Sequence, residues 1–243
     1  MQLEQKVAVI TGAASGFGEG IARRYAAEGA RVVVVDLNDQ LGSKVAGEIG
    51  GAYIHADVAN RDDVRRMIQT AVDEHERLDV MVNNAGVTHV NRPMLEVKEE
   101  EFDRIFNVNV KSIYLAALEA VPVMRAQGGG CIINTASTAG LRPRPGLAWY
   151  NASKGAVITM TKSMAVELGP DNIRVNALCP VAGDTPLLPS FLGANTREAF
   201  QATVPLGRLS TAEDVAKAAL WLASAEADFI TGVALEIDGG RCV

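Results

Sequence analysis

Short apolar runs alternate with longer amphipathic segments along the whole chain. Seven of these runs are rich in β-branched residues and are predicted to be strands, at residues 7–11, 31–35, 52–55, 80–83, 131–135, 174–177 and 233–237. Several are almost continuously apolar, as in the four valines at 32–35. Such runs indicate strands buried on both faces of a parallel sheet, rather than strands with one solvated face.

The segments between the strands carry apolar residues at helical spacing. One set comprises Val64, Met67, Ile68, Ala71, Val72 and His75, and similar patterns occupy residues 102–113 and 215–222. Because crossovers between parallel strands are right-handed, this alternation predicts a doubly wound parallel α/β sheet. We therefore expect a Rossmann fold of about seven strands with helices on both faces. No repeat or flexible linker divides residues 1–243, so a single domain is predicted.

One segment has no regular period. Residues 179–207 contain four prolines and several large apolar side chains, with neither strand nor helix spacing. Long irregular segments inside a compact domain are commonly binding loops or lids. We therefore expect a substrate loop at about 184–206.

Composition narrows the class of protein. The chain has 48% hydrophobic and 21% charged residues, as globular proteins do, and a net charge of −6, which argues against general nucleic-acid binding. No apolar run reaches the roughly 18–20 residues of a membrane-spanning helix, and no signal-peptide pattern is present. The widely spaced Cys131, Cys179 and Cys242 predict no disulfide framework and favour a reducing, cytoplasmic location. The three histidines lack metal-ligand spacing, so no metal site is predicted.

A glycine-rich turn follows the first predicted strand and opens the first helix. In TGAASGFG at 11–18, Gly12 permits a tight turn, Gly16 lets the backbone approach a pyrophosphate, and Gly18 permits close packing of helix and strand. Asp36 ends the second strand about 20 residues later, where its carboxylate can accept the ribose 2′-hydroxyl of an adenine dinucleotide. The combination predicts dinucleotide binding.

The TGxxxGxG spacing of this turn resembles the short-chain dehydrogenase/reductase family in its single-domain form of about 250 residues. Further motifs follow in the family's order over essentially the whole chain. They are Asp57-Val58, Asn83-Asn84-Ala85-Gly86, Asn109, Ser137, and the YxxxK pair Tyr150 and Lys154. The resemblance implies that the catalytic residues are Asn109, Ser137, Tyr150 and Lys154. It implies cofactor contacts from Gly12, Ser15, Gly16, Phe17, Gly18, Asp36, Asp57, Val58, Asn84, Ala85, Gly86, Tyr150, Lys154, Pro180, Val181 and Thr185.

The chemistry of the YxxxK pair can be argued from the residue types. Tyr150 and Lys154 lie one helical turn apart, so the Lys154 ammonium can stabilise a phenolate and lower a tyrosine pKa that is ordinarily near 10. Tyr150 would then exchange a proton with the alcohol or carbonyl oxygen, and Ser137 would hydrogen-bond the same oxygen. By resemblance, Lys154 also holds the nicotinamide ribose, and Asn109 organises a water that relays the proton to solvent.

One segment departs from the family pattern. After the sixth strand the family usually has Pro-Gly, with a Thr five residues past the Pro. This chain keeps Pro180 and Thr185 but has Val181 in place of the glycine. A Cβ at that position restricts the backbone to negative φ and adds bulk near the expected nicotinamide, so the path of the 180–206 loop is open.

Two arginines precede the predicted catalytic tyrosine. Arg142 and Arg144 flank the expected substrate cleft, where they could anchor a carboxylate or phosphate of the substrate. The other interpretation is ion pairing at the surface or at an interface. His89 is expected near the cleft as well, as a possible second acid/base.

These residues lead to one principal function and two alternatives. The principal one is an NAD-dependent oxidoreductase that interconverts a secondary alcohol and a ketone, with NAD favoured over NADP because Asp36 would repel a 2′-phosphate. The alternatives are an NADPH-dependent 3-oxoacyl-[acyl-carrier-protein] reductase and, from another class, a nucleotide-sensing or scaffold protein without turnover. By resemblance we expect a homotetramer built through residues 149–168, 212–224 and the last strand. The sequence does not identify the substrate.

Overall fold

A computed structural model describes all 243 residues and contains one sheet of seven parallel strands. The strands are β1 Val7–Thr11, β2 Arg31–Asp36, β3 Ala52–His55, β4 Val80–Asn83, β5 Gly130–Thr135, β6 Ile173–Pro180 and β7 Ala234–Ile237. Their order across the sheet is β3-β2-β1-β4-β5-β6-β7. The order reverses direction between β1 and β4, as in a doubly wound sheet, so the predicted Rossmann fold is confirmed.

Nine α-helices connect the strands. They are α1 Gly16–Ala27, α2 Asp39–Ile49, α3 Arg61–His75, α4 Glu99–Phe106, α5 Ser112–Ala126, α6 Ala148–Leu168, α7 Leu188–Leu192, α8 Arg197–Gln201 and α9 Ala212–Ala223. Several begin where the sequence provides a cap: the side chains of Asn38, Asn60 and Thr211 accept backbone N–H groups of the first turns of α2, α3 and α9. None of these helices combines the length and hydrophobicity needed to cross a membrane.

The sheet separates two large apolar cores. Alternate residues of β1 enter opposite cores, with Ala8 and Ile10 facing α1, α2 and α9, and Val7 and Val9 facing α3, α5 and α6. Each strand of the sheet's centre is therefore covered on both faces. This explains why the strands read as apolar runs without polar alternation.

The structure refines four of the predicted elements. Strand β6 extends over Ile173–Pro180, further in both directions than residues 174–177, and β7 begins one residue later than predicted. The helical pattern at 102–113 spans two α-helices joined by a π-helical turn, Asn107–Lys111. The 184–206 loop contains two short helices, α7 and α8, because its apolar residues form a small core of their own: Val181, Leu188, Phe200, Val204 and Leu209.

Candidate active site

A cavity of about 790 Å³ lies along the carboxyl edge of the sheet. Its wall is formed by the turn after β1, the ends of β2, β4, β5 and β6, the start of α6, and the 184–206 loop. In an open parallel sheet this edge, at the point where strand order reverses, is where ligands bind. The wall includes all the predicted cofactor-binding and catalytic residues except Gly18 and Asn109.

The glycine turn brings bare backbone to the cavity. Gly12 and Gly16 have φ of +64° and +60°, which side-chain-bearing residues rarely adopt, and a Cβ on Gly12 would lie 2.9 Å from the Cα of Ala85. A Cβ on Gly18 would lie 2.2 Å from the Gly12 carbonyl oxygen. Gly18 therefore lies behind the turn, where it permits the close packing predicted for it, and does not face the cavity.

The NNAG segment holds this turn in place. The Asn84 side-chain amide donates to the carbonyl oxygens of Thr11 and Gly12, at 2.9 and 3.2 Å. In return, the Thr11 hydroxyl accepts the backbone N–H groups of Asn84 and Ala85, at 3.0 and 3.1 Å. Thr11 thus joins the two cofactor motifs, a positioning contact that the sequence did not reveal because the two segments are far apart in the chain.

Asp36 lies at the end of β2 and lines the cavity beside the glycine turn. Its carboxylate accepts the backbone N–H groups of Ala14 and Asn38, each at 3.0 Å, so its orientation is held from both sides. Asp57 and Val58 line the neighbouring part of the wall after β3. The bare glycine backbone, the N-terminus of α1 and a fixed carboxylate fit the pyrophosphate and ribose of a dinucleotide.

Three predicted catalytic side chains meet at the other part of the cavity. Ser137 follows β5, while Tyr150 and Lys154 lie one turn apart near the start of α6, and all three are buried. The Lys154 ammonium lies 5.9 Å from the centre of the Tyr150 ring and donates to the Thr135 carbonyl oxygen at 2.6 Å. The Ser137 hydroxyl accepts the Ala139 N–H at 3.1 Å and donates to the Pro180 carbonyl oxygen at 3.4 Å.

Burial controls the ionisation of this group. It raises the pKa of Tyr150 to about 12, and the neighbouring Ser137 side chain and the charge of Arg144 oppose this rise without overcoming it. Burial also lowers the pKa of Lys154 to about 8. The Tyr150 pKa is therefore raised here, not lowered as the one-turn spacing to Lys154 suggested, because the burial of the phenol outweighs the contributions that favour the phenolate.

Asn109 is buried just behind the cavity wall, in the π-helical turn. Its side chain accepts the Val87 N–H at 2.8 Å and donates to the Val87 carbonyl oxygen at 2.9 Å and to the Ser153 hydroxyl at 3.0 Å. It thus ties the segment after β4 to helix α6. A π-helical turn inserts an extra residue into the helix, which is frequent at functional sites.

The structure defines the loop path that Val181 left open. Val181 has a negative φ, donates its N–H to the Ile237 carbonyl oxygen at 3.1 Å, and is buried in the small core of the loop. Beyond it, Thr185 comes close to the glycine turn, since a Cβ on Gly16 would lie 3.4 Å from the Thr185 methyl group. The valine is therefore accommodated, and both Pro180 and Thr185 line the cavity.

Several residues near the catalytic group were not predicted from sequence. Phe191 of α7 packs edge-on against Tyr150, with ring centres 5.1 Å apart, and Phe200 and Arg241 also line the cavity. The sequence contained little indication of these three residues. Phe191 and Phe200 lie in the 179–207 segment, which has no regular period, and Arg241 lies in the C-terminal tail. His89 is different: it is buried off the cavity wall, with Nδ1 2.9 Å from the Val90 carbonyl oxygen, so it is not placed to act on substrate.

One cluster outside the cavity groups potential metal ligands. The side chains of Glu236, Asp238 and Cys242 approach one another within 4.8 Å. The Asp238 carboxylate already accepts the N–H groups of Gly240 and Cys242, at 2.9 and 2.7 Å, which accounts for its position. The cluster therefore has a structural explanation within the C-terminal turn.

A dinucleotide cradle joined to a buried Ser-Tyr-Lys group defines a nicotinamide-dependent oxidoreductase. Comparison with known proteins agrees. A family model described as Enoyl-(Acyl carrier protein) reductase matches residues 12–241. The chain is 45% identical to 4-formylbenzenesulfonate dehydrogenase TsaC1/TsaC2 of Comamonas testosteroni, over 99% of both chains. It is 39% identical to 3-oxoacyl-[acyl-carrier-protein] reductase FabG of Thermotoga maritima, over 100% of both.

A solved structure extends the comparison to the fold. The 3-ketoacyl-(acyl-carrier-protein) reductase of Brucella melitensis, complexed with NADH, is 47% identical and superimposes with a TM-score of 0.96, covering 99% of this chain and 100% of that one. The chain belongs to the short-chain dehydrogenase/reductase family. It is an NAD(P)-dependent oxidoreductase acting between alcohols and carbonyl compounds.

Proposed function

We propose that the protein interconverts a secondary alcohol and a ketone with NAD, and that Tyr150 is the general acid/base. The observation that carries this proposal is the meeting of Ser137, Tyr150 and Lys154 in the same cavity as the glycine turn and Asp36. When bound, the nicotinamide accepts or returns the hydride of the substrate carbon. The substrate lies against the 184–206 loop, whose α7 and α8 contribute Phe191 and Phe200 to the cavity wall.

The residues of this chain handle the proton. The Tyr150 hydroxyl is protonated at neutral pH in this structure, so it is ready to donate to a carbonyl oxygen during reduction. Oxidation requires the phenolate, which the Lys154 ammonium and the positive charge of oxidised nicotinamide stabilise. Ser137 hydrogen-bonds the substrate oxygen, and Asn109 fixes the segment through which a water relays the proton outward.

Asp36 supports NAD as the cofactor. A ribose 2′-hydroxyl can donate to its fixed carboxylate, whereas a 2′-phosphate would place a like charge beside it. Ser15 and Leu37, which flank this position on the cavity wall, supply no cation to offset the repulsion. These side chains favour NAD over NADP at the adenosine end.

Two relatives are named for different substrates. They therefore support the reaction class, oxidoreduction between an alcohol and a carbonyl compound, more strongly than they support any one substrate. One is named for a sulfonated aromatic aldehyde and another for an acyl-carrier-protein thioester. The NADPH-dependent 3-oxoacyl reductase is therefore the second candidate, disfavoured by Asp36. A nucleotide sensor without turnover is disfavoured because it would have no use for Ser137, Tyr150, Lys154 and Asn109 together.

We further propose that the protein is a cytoplasmic homotetramer. Strand β7 is at the edge of the sheet with one side unpaired, and α6 and α9 carry the exposed apolar side chains Val166 and Trp221. Phe229, after α9, is 98% exposed. Ultracentrifugation at micromolar concentration tests this assembly, and a mass near the 25.7 kDa of one chain would overturn it.

The reaction is tested by following NADH formation with a panel of secondary alcohols, including aliphatic, cyclic, aromatic and 3-hydroxyacyl thioester compounds. We expect turnover with NAD⁺ on at least one simple alcohol. Activity confined to 3-hydroxyacyl thioesters with NADP⁺ would establish the second candidate. Binding of NADH without turnover of any compound would favour the sensor.

A further inference from the structure

Three arginines gather at the catalytic part of the cavity. Arg142 and Arg144 come from the segment before α6, and Arg241 comes from the C-terminal tail; all three line the same cavity as Tyr150. We call them the arginine cluster. The Arg142 guanidinium donates to the Arg241 carbonyl oxygen, which joins the two segments directly.

The positive charge of the cluster is not neutralised within the protein. None of the three guanidinium groups forms an ion pair with a carboxylate, although arginines elsewhere in the chain do so repeatedly. Arg241 donates to the Thr203 hydroxyl at 2.9 Å, whereas the Arg144 guanidinium has no hydrogen-bond partner in the protein. Burial and the neighbouring Arg241 charge lower the pKa of Arg144. An unpaired cation that is partly buried in a cavity wall costs free energy unless an anion binds beside it.

Phe200 holds two of these cations in position. The guanidinium carbons of Arg144 and Arg241 lie 4.7 and 5.0 Å from the centre of its ring. The Phe200 ring is itself buried in the small core of the loop with Val181 and Leu188. The aromatic face orients both guanidinium groups and leaves free the N–H donors of Arg144 and those of Arg241 that do not bind Thr203.

The cluster lies within electrostatic reach of the reacting oxygen. Arg144 and Tyr150 line the same cavity, and the Arg144 charge opposes the rise that burial causes in the Tyr150 pKa. Phe191 packs on Tyr150 and Phe200 packs on Arg144, so aromatic side chains flank both the proton donor and the cations. One cavity wall thus carries the phenol, two aromatic rings and the three guanidinium groups.

We propose that the substrate is a hydroxy or keto compound with a carboxylate or sulfonate, which Arg144 and Arg241 bind across a short apolar spacer from the reacting carbon. This inference rests on the proposed function, because that function makes Tyr150 the reacting end. An oxyacid group matches the planar donor set of a guanidinium, and Phe191 and Phe200 offer apolar surface to the spacer on the same cavity wall. Arg142 and Arg144 form no ion pair within the chain, which counts against the interpretation as surface ion-pairing residues; pairing across an interface between chains stays a prediction.

Binding of matched ketones tests the proposal separately from turnover. The probes are 4-acetylbenzoate, 4-acetylbenzenesulfonate and the neutral methyl 4-acetylbenzoate, titrated by calorimetry into the enzyme saturated with NAD⁺, which cannot reduce them. We expect both anions to bind at least tenfold more tightly than the neutral ester, since hydrogen bonds between charged groups are strong. Arg144→Gln and Arg241→Gln should each reduce this ratio at least tenfold, and Arg144→Lys less. Arg65→Gln, on the exposed face of α3, is the matched control and should keep the ratio.

The outcomes separate the two proposals. Equal binding of the anions and the ester, or no binding of either anion, overturns the arginine cluster as an anion site. An equal loss of NADH affinity in Arg144→Gln would also overturn it, since the cluster would then bind the cofactor's phosphates. Preferential binding of the anions without their reduction by NADH or NADPH would leave the anion site standing, and count against the proposed reaction.

Discussion

Lys154 donates its ammonium proton to the Thr135 carbonyl oxygen, 2.6 Å away, and the ammonium nitrogen lies 5.9 Å from the centre of the Tyr150 ring. Both side chains are buried, and burial moves their pKa values in opposite directions, to about 12 for Tyr150 and about 8 for Lys154. Burial in the cavity wall thus favours the neutral form of both side chains, the phenol and the amine.

This arrangement predicts a specific dependence of stability on pH. The Lys154 pKa is lowered from 10.5 to about 8 on folding, so the folded protein binds fewer protons between these values than the unfolded chain. The free energy of unfolding therefore gains a contribution as pH rises from 8 to 10, and loses the same contribution as pH falls from 10 back to 8. Relative to Lys154→Met, the wild type should gain about 2 kcal/mol over this range, measured by urea denaturation.

The range from pH 8 to 10 separates the effect of Lys154 on stability from that of Tyr150. The Tyr150 pKa is raised from 10.0, so its contribution is fully present below pH 10 and is lost only above that value. If the difference in unfolding free energy between wild type and Lys154→Met does not change between pH 8 and 10, burial does not lower the Lys154 pKa.

Replacement of the proposed acid/base should remove turnover without removing the fold. In Tyr150→Phe the ring keeps its edge contact with Phe191, but no group can exchange the proton. We expect kcat to fall at least about a hundredfold, while the NADH dissociation constant stays within about threefold. Tyr114→Phe, at an exposed position of α5, is the control. Near-normal turnover in Tyr150→Phe would exclude Tyr150 from the mechanism.

Cofactor preference should depend on Asp36. A 2′-phosphate about 4 Å from its carboxylate is repelled by roughly 4 kcal/mol at an effective dielectric of 20, reduced by solvent and counter-ions to about 1–3 kcal/mol. Asp36→Ala should therefore raise the NADP⁺/NAD⁺ ratio of kcat/KM ten- to hundredfold. Asp62→Ala, on the exposed start of α3, should leave the ratio unchanged. A wild-type preference for NADP⁺ would show that Asp36 is not the selector.

Close packing behind the turn should make Gly18 intolerant of a side chain. A Cβ there would lie 2.2 Å from the Gly12 carbonyl oxygen, whereas a Cβ on Gly47 of α2 would meet nothing within 4 Å. Gly18→Ala should destabilise the protein by roughly 1–3 kcal/mol and weaken NADH binding, since the turn itself must shift. Gly47→Ala should be neutral or stabilise by about 0.5–1 kcal/mol. Equal melting temperatures of the two variants would contradict the geometry of the turn.

The sequence by itself determined the sheet and the cofactor cradle. All seven strands lie close to where apolar runs predicted them, and the signal was strongest for the inner strands, because a strand covered on both faces needs apolar residues at every position. The glycine turn and Asp36 were also predictable, since the conformations at Gly12 and Gly16 restrict which residues fit, and both motifs lie within one β-α-β unit. These features depend on residue types and spacings within short segments of the chain, which can be recognised from the sequence alone.

Only the tertiary structure decided how the catalytic end is arranged. The ammonium of Lys154 is directed by Thr135, and its pKa by the burial of the whole group, neither of which follows from the one-turn spacing to Tyr150. The arginine cluster combines residues before α6 with one from the C-terminal tail, and Phe200 reaches it from a loop without a period. Such contacts depend on packing between segments distant in the chain, where charge and burial are set by neighbours that no local pattern encodes.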